Sequence, residues 1–596
     1  MLCAGLLGGV GGCAGRNGAF LTDGGIEDWG VGDGFGYRDT STRDGAPTDG
    51  VGADGAGGDG PLVDGPLRDG GVADGPRRDG RTPDARRPDG RISDTVAPPV
   101  YTLRAPHYLR NVGSTIAGVS QWTTVVVANH GAQATTLTVR VYRADGNLLH
   151  TFTKALVAKG VWSAFGDADW LAVPDTSAGS AAGWVELSAT QPIVGTQRLF
   201  LRSGTTYNAP LVLFDQVPLS SATATNLYGS FYLKNWGSNV AGVTQWSSVT
   251  VTNPNAAAAT LTVRVWKTDG SGQLATFTKT LPARGSWNAY GDADWLAIPD
   301  TATGAGIGWV ELSATRPVFG LNRVALRQGA VYNGTAVLVE DAPLATRTAT
   351  TTYGAFYLKN WGSNIAGVTQ WTSPVVINPN ASAATVTVRI WKTDGSGQLA
   401  SFTKTVPARG WWNAYGDADW LAIPDTATGA GIGWVELVAS QAVFGHNRLS
   451  LRQGGVYNGP VTLLDDQPLT ADTGTVLETP LYLKNVPSGL GSATQWSSPI
   501  VVNPGSAAAT LTVRVRRNDG TAAASFGKTI PARGWWNAYG DADWNAIPDL
   551  AGGQGSGWVE LASSQAIFAL GRLALRDGTT YSAPVVQLDD DPFTAP

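Results

Sequence analysis

Thr260-Leu261-Thr262-Val263-Arg264-Val265-Trp266-Lys267 reads as one β-strand with two unlike faces. Side chains alternate along a strand, so Leu261, Val263 and Val265 share one side, and Thr260, Thr262, Arg264 and Trp266 the other. Asp269-Gly270 follows as a tight-turn signal, and 274–281 continues as the hairpin partner. Working outward, 231–235 and 249–253 read as strands, the latter closed by Pro254-Asn255. On the other side, 287–290, 308–314, 318–327 and 331–339 read as strands, with a hairpin expected around Arg316-Pro317. About eight short strands with frequent turns, and no long helix, indicate an antiparallel sandwich.

The same words return. Gln121-Trp122, Gln245-Trp246, Gln370-Trp371 and Gln495-Trp496 recur at about 125 residues, as do Gly183-Trp184-Val185-Glu186, Gly308-Trp309-Val310-Glu311, Gly433-Trp434-Val435-Glu436 and Gly557-Trp558-Val559-Glu560. That period is domain-sized, longer than a solenoid or propeller repeat. The fold class expected is therefore all-β: four tandem antiparallel β-sandwich modules at 100–220, 221–345, 346–470 and 471–596, behind a leader (1–13) and a disordered Asp/Gly-rich linker (14–99).

Trp246-Ser247, Asn253-Pro254, Asp269-Gly270, Gly308-Trp309-Val310 and Pro317-Val318-Phe319-Gly320 together resemble a tandem β-sandwich module of large secreted bacterial proteins. The resemblance covers all four modules. Its motifs are turn and core words, and it implies a structural or adhesive building block with no activity. The first module departs at Asn129-His130, without the Pro, and the fourth at Ala569-Leu570-Gly571.

Charged residues make up 15% of the chain and the formal net charge is -5, which leaves no basic face for nucleic acid. The two cysteines, Cys3 and Cys13, lie in the first thirteen residues, so the modules hold no disulfide, thiolate metal site or Cys nucleophile. Four His, none recurring, leave no repeated zinc site or Ser-His-Asp triad.

The apolar start ending Val10-Gly11-Gly12-Cys13 resembles the lipobox of bacterial lipoproteins, which implies lipidation at Cys13 and a membrane partner through that lipid. From Asp39 to Asp94 an Asp falls at every fifth residue among Gly, Pro and Arg. That period fits neither helix nor strand, and there is too little apolar surface to offset ordering entropy. A tether of this length reaches roughly 50 Å. One carboxylate per five residues is too sparse for a calcium loop.

Each module carries an Asp-Ala-Asp-Trp turn, with Asp167 and Asp169 in the first, Asp292 and Asp294 in the second, Asp417 and Asp419 in the third, and Asp541 and Asp543 in the fourth. The favoured reading is a helix cap, in which Asp accepts from free backbone N–H groups. The alternative is a calcium site made by each pair, since hard cations take carboxylate and carbonyl oxygens. Trp266, with its counterparts Tyr142 and Trp391 and the polar Arg516, lies on the polar side of its strand. An aromatic there can stack on a sugar or a protein partner, or pack under a neighbour. Glu311 is expected to pair with Arg323 or Arg327 across strands. The reading as a whole is a non-catalytic, lipid-anchored protein at the bacterial cell surface, a spacer or adhesin without cofactor. A multivalent carbohydrate-binding array is the alternative, with a surface glycan or protein as partner.

Overall fold

In the computed structural model, residues 99–174, 182–300, 307–425, 432–549 and 557–596 are described. The expected leader, Cys13 and the linker through residue 98 lie outside them. The described chain is all-β, its sheets antiparallel, with only four helical turns of four or five residues.

The second module shows how the sequence builds a sandwich. Ala224–Tyr232, Ala259–Lys267 and Gln273–Leu281 pair through the first half of Gly308–Gln328 into one sheet. Val243–Thr252 and Ala336–Pro343 flank the second half of that strand in the other sheet, with Ser286–Asn288 on the outer edge of Val243–Thr252. The hairpin expected at Arg316-Pro317 is absent. A single strand runs through both residues and passes from one sheet to the other, so Glu311 is registered with Tyr228 and Arg264 while Phe319 is registered with Thr252. A Pro is tolerated there because a strand leaving one ladder for another has an amide with no ladder partner to lose. Leu261, Val263 and Val265 face inward, fully buried against Val249, Val251, Val310 and Leu312. At roughly 1.5–3 kcal/mol per fully buried aliphatic side chain, this core is the main term holding each module together. The other modules repeat the arrangement around their own cores.

The modules are not beads on a string. Gly183–Ala189 of the first presents Trp184, whose Nε1 donates to Arg284 O of the second at 2.7 Å. Trp309 does the same to Arg409 O of the third at 2.8 Å, and Trp434 to Arg533 O of the fourth at 2.9 Å. Trp558 of the fourth then donates to Lys159 O of the first at 2.8 Å, which closes the four modules into a ring. Backbone bonds reinforce each seam: Ser286 N to Ala144 O, Trp411 N to Thr268 O, Trp535 N to Thr393 O and Val161 N to Asn518 O. The Asp-Gly turn matters here twice over. Gly270 has φ +72°, and a Cβ on it would sit 2.0 Å from Ala408 O of the next module.

The strands Leu211–Pro218, Ala336–Pro343, Val461–Pro468 and Val585–Pro592 meet at the ring's centre. Three of them offer an acid to the next, in that Asp341 N donates to Asp215 Oδ2 at 3.0 Å, Asp466 N to Glu340 Oε1 at 3.0 Å, and Asp590 N to Asp465 Oδ1 at 3.4 Å; the fourth offers Gln587 Oε1 to Phe214 N at 3.2 Å. Burial holds Asp215, Glu340, Asp465 and Asp589 well above the carboxylate range, and nearby acids add to it. Burial pushes Asp591 up to about 7. A carboxyl raised in the folded state contributes stability below its unfolded value, about 4, that is lost as pH rises through the folded value. His107 and His446, buried and lowered to about 4, act oppositely between about 4 and their unfolded value near 6.5. Above pH ~6.5 the acids alone therefore set the trend. The thermal midpoint is expected to fall as pH rises from ~6.5 through the Asp591 value of about 7, and Asp591→Asn to flatten that fall, as read by calorimetry. A midpoint that rises across this window contradicts the assignment.

Candidate functional site

Four seams, built from the same positions, define four places where a ligand could lie. In every seam the Gln of the Gln-Trp word crosses to an Arg of the next module: Gln121 to Arg323 (3.5 Å), Gln245 to Arg448 (3.0 Å), Gln370 to Arg572 (3.4 Å) and Gln495 to Arg198 (2.6 Å). Arg323, Arg448 and Arg572 each hold an Asp of their own module with two hydrogen bonds, at 2.5–2.8 Å, to Asp341, Asp466 and Asp590. Charge-assisted forks of this kind fix the guanidinium plane. The ion pair expected between Glu311 and Arg323 or Arg327 is not formed. Glu311 instead meets Arg264 of its own sheet and Arg409 of the next module.

Between these fixed groups three clefts open among the described residues. The one between the third and fourth modules has a volume of about 520 Å³; its equivalents between the first and second and between the second and third have about 310 and 240 Å³. Each contains a second arginine, further along the same strand face: Arg327, Arg452 or Arg576. Those guanidiniums lie over the half-exposed rings of Tyr290, Tyr415 and Tyr539, at 5.2, 5.1 and 5.3 Å. Across the mouth, Asn239 and Asn364 donate to Tyr415 and Tyr539 Oη at 2.7 Å. Trp236 and Trp361 line the opposite wall of the two later clefts.

The fourth seam is different. Between its two arginines stands Phe200, where the other modules have Ala325, Ser450 and Ala574. Phe200 and Phe214 are buried against Leu481, Leu573 and Leu575, occupying the volume that is open elsewhere. On the outer side of this seam, His130 meets Glu478, and Glu560 joins them with all ligating atoms within 4.8 Å. Glu560 is already held by Arg514 at 2.6 Å and Lys159 at 3.1 Å, so the group is an ionic latch between first and last modules.

The residues singled out by sequence fall elsewhere. Tyr142 is buried rather than solvent-facing, stacked on Trp184 with Arg284 of the next module over its other side. Trp266 and Trp391 are half-buried, stacked on Trp309 and Trp434 under Arg409 and Arg533, with Nε1 donating to Glu311 and Glu436. The polar side of that strand faces a neighbouring module, a burial that no single-module reading reveals. Cys13 lies outside the described residues. The aromatic groups that do meet solvent in the clefts, Tyr290, Tyr415, Tyr539 and Trp361, are functional candidates that sequence reasoning missed. Their signal is the Asn-Ala-Tyr-Gly-Asp word of the three later modules and the Arg-x-x-x-Arg spacing on one strand face.

The Asp pairs act as caps. Asp292 Oδ1 accepts from Asp294 N (3.1 Å) and Trp295 N (3.2 Å), and its Oδ2 from Trp287 Nε1 (2.9 Å). Asp167, Asp417 and Asp541 cap their own helical turns in the same way. At the place of the calcium alternative stands a lysine. Lys279 Nζ lies 2.7 Å from both Asp292 and Asp294, in the place that reading gives to an ion. Lys154 bridges Asp167 and Asp169 at 2.7 and 2.6 Å. Lys404 bridges Asp417 and Asp419, and Lys528 bridges Asp541 and Asp543, all at 2.7 Å. The second acid of each pair also fails as a ligand on position. Asp169, Asp294, Asp419 and Asp543 have side chains 55–58% exposed. A calcium site needs six to eight oxygens gathered around one point. Here Asp169, Asp419 and Asp543, like Asp294, each spend their charge on one ammonium at the surface.

No family model matches the sequence, and no curated protein matches it. Among solved structures, the dimeric latent PorU of Porphyromonas gingivalis aligns over 67% of this chain and 35% of its own, at 10% identity and a TM-score of 0.11. The chain thus spans about a third of that protein, and a similarity of this size carries no argument.

Because an ammonium already bridges the Asp pair, chelator or added calcium is expected to leave the thermal midpoint unmoved. Asp292→Ala is expected to cost about 0.5–2 kcal/mol in denaturant unfolding. Burial raises the Asp292 carboxyl, but Lys279, Trp287 and the Trp295 amide outweigh it and the net shift is downward. Its contribution is therefore present above the unfolded value of about 3.9 and lost as pH falls through the lower folded one. A chelator-induced drop that calcium restores would contradict the cap.

Proposed function

We propose that the chain is a non-catalytic, lipid-anchored adhesin of the bacterial cell surface, in which the ring is the binding head and the three inter-module clefts are the binding sites. The observation that carries this reading is the recurrence of one cleft chemistry, arginine over tyrosine, at three seams of one frame, with an asparagine across the mouth of two of them. Binding sites are characteristically preformed concavities at domain junctions with a few convergent polar groups. Asp341, Asp466 and Asp590, behind the first arginine of each cleft, are each tied to it by two hydrogen bonds, which suits positioning rather than proton transfer. Repeating a weak site three times on one frame raises avidity without new contacts. The lipobox-like Cys13 and the Asp/Gly-rich tether support presentation of such a head away from a membrane.

The ring supplies its own blocking substitution. Ala325→Phe, Ser450→Phe and Ala574→Phe together copy Phe200 into the three open clefts. Beads carrying the full chain are expected to adhere to at least one member of a panel of immobilised extracellular polymers, polysaccharide and protein. The triple variant is expected to lose that adhesion while still melting cooperatively. Undiminished adhesion by a folded triple variant would remove the clefts from the proposal.

A further inference from the structure

We infer that the clefts select acidic saccharides, with Arg576, Arg452 and Arg327 receiving a sugar carboxylate; this rests on the proposal that the clefts are the binding sites. Each cleft brings two guanidiniums together, and only the first along the strand has an acid. Arg323, Arg448 and Arg572 form ion pairs at 2.5–2.6 Å, whereas no carboxylate among the described residues lies within ion-pairing distance of Arg327, Arg452 or Arg576. These three are 4–6% exposed. Their Nη1 atoms donate only to neutral groups, chiefly the carbonyls of Gly334, Gly459 and Ala583 at 2.9–3.0 Å. Nε of Arg327 and of Arg576 is buried with no hydrogen-bond partner. A buried cation lacking an acid is costly unless an anion arrives. Burial lowers all three guanidiniums, the direction expected of a charge held out of water.

The rest of the lining describes what carries the anion. In the largest cleft, Trp361 and Tyr539 are 39% and 40% exposed on opposite walls. Flat aromatic faces flanking a slot suit the C–H faces of a pyranose. Asn360, Asn364, Gln370 and Asn537 supply neutral donors and acceptors suited to hydroxyl groups. A bare phosphate or sulfate ion would use the arginine but neither the aromatic walls nor the amides. A neutral sugar would use those and leave the guanidinium unpaired. A uronic acid, one pyranose with one carboxylate, uses all three. Arg452 additionally donates to Ser450, and Arg327 to Thr115, so the cleft at Arg576 has the least satisfied guanidinium as well as the largest volume.

The test is titration calorimetry of the full chain with oligosaccharides of galacturonate, mannuronate and glucuronate, each beside its carboxyl-reduced counterpart of equal length. At least one acidic oligomer is expected to bind, its reduced form roughly tenfold or more weaker, with affinity falling as salt rises. Arg576→Gln is expected to abolish the preference for the acid form. Trp361→Ala, at an exposed position that does not threaten the fold, is expected to weaken binding about three- to tenfold. Binding of reduced and acidic forms alike, binding unaffected by Trp361→Ala, or no binding of any acidic oligomer would overturn the inference. In that last case, adhesion to a protein or neutral polymer that the three Phe substitutions abolish would show the clefts to be sites for another ligand. Adhesion that survives those substitutions would overturn the binding-site proposal itself.

Discussion

The structure depends on one contact made four times: a buried tryptophan reaching the backbone carbonyl of a residue in the next module. Trp184, Trp309, Trp434 and Trp558 are essentially inaccessible to solvent. Their acceptors are the carbonyls of Arg284, Arg409, Arg533 and Lys159, at φ between 54° and 59°. A side-chain-bearing residue in the left-handed region costs about 1–2 kcal/mol and persists only when its surroundings over-determine it. Here they do. The carbonyl accepts the indole proton and the next residue but one bonds the neighbouring module's backbone. The side chain folds back over Tyr142, Trp266, Trp391 or Trp558 to reach Glu186, Glu311, Glu436 or Glu560. An unbonded indole N–H in that position would be a buried orphan donor, so each module completes its neighbour's polar accounting.

Head-to-tail contacts of this kind close into a ring or run on into a filament, depending on the rotation between units. A covalent chain of four modules adds a further hazard, because the last module of one molecule could dock on the first of another. The closing seam is chemically distinct. Lys159 replaces the arginine, Arg516 the stacked aromatic, and Val194 the Phe319-type residue; His130 faces Glu478, where two of the other seams set Tyr228 against Phe444 and Tyr353 against Phe568. Burial raises the Glu478 carboxyl against the pull of His130 and Lys159. A seam built on ions and on Phe200 discriminates against the aromatic seams, since a mismatched pairing would bury Glu478 without its partner.

Much of this is legible in the chain. The alternation of 260–267 and the turn words give the strands, and the four-fold recurrence gives the modules, because period and turn chemistry are local. The helix caps are legible for the same reason: Asp292 needs only its own next three residues. The lysine that bridges Asp169, Asp294, Asp419 or Asp543 to its cap is less so, because it stands on a neighbouring strand fifteen positions earlier. What escapes sequence reading is set by contacts across a module boundary. Trp266 has the pattern of an exposed residue because its cover comes from Arg409, 143 positions on. Arg316-Pro317 reads as a turn because a strand changing sheets and a hairpin use the same residue types. Three departures in the first and fourth modules, His130, Lys159 and Arg516, read as scattered variation in packing. They share one seam, and their coincidence there is the trace that ring closure leaves in the sequence.

Ring closure also makes the clefts rigid, since each wall belongs to a different module and only the closed frame fixes their separation. The most direct test of closure is a zero-length cross-link. Lys159 Nζ lies 3.1 Å from Glu560 Oε2, so carbodiimide activation at high dilution joins residues 401 positions apart. An isopeptide between the peptides carrying Lys159 and Glu560 is expected, formed in the monomer and lost in Lys159→Arg. A monomer that yields the equivalent links at no first-to-last seam, or only between molecules, would contradict a closed ring and return the modules to an open string.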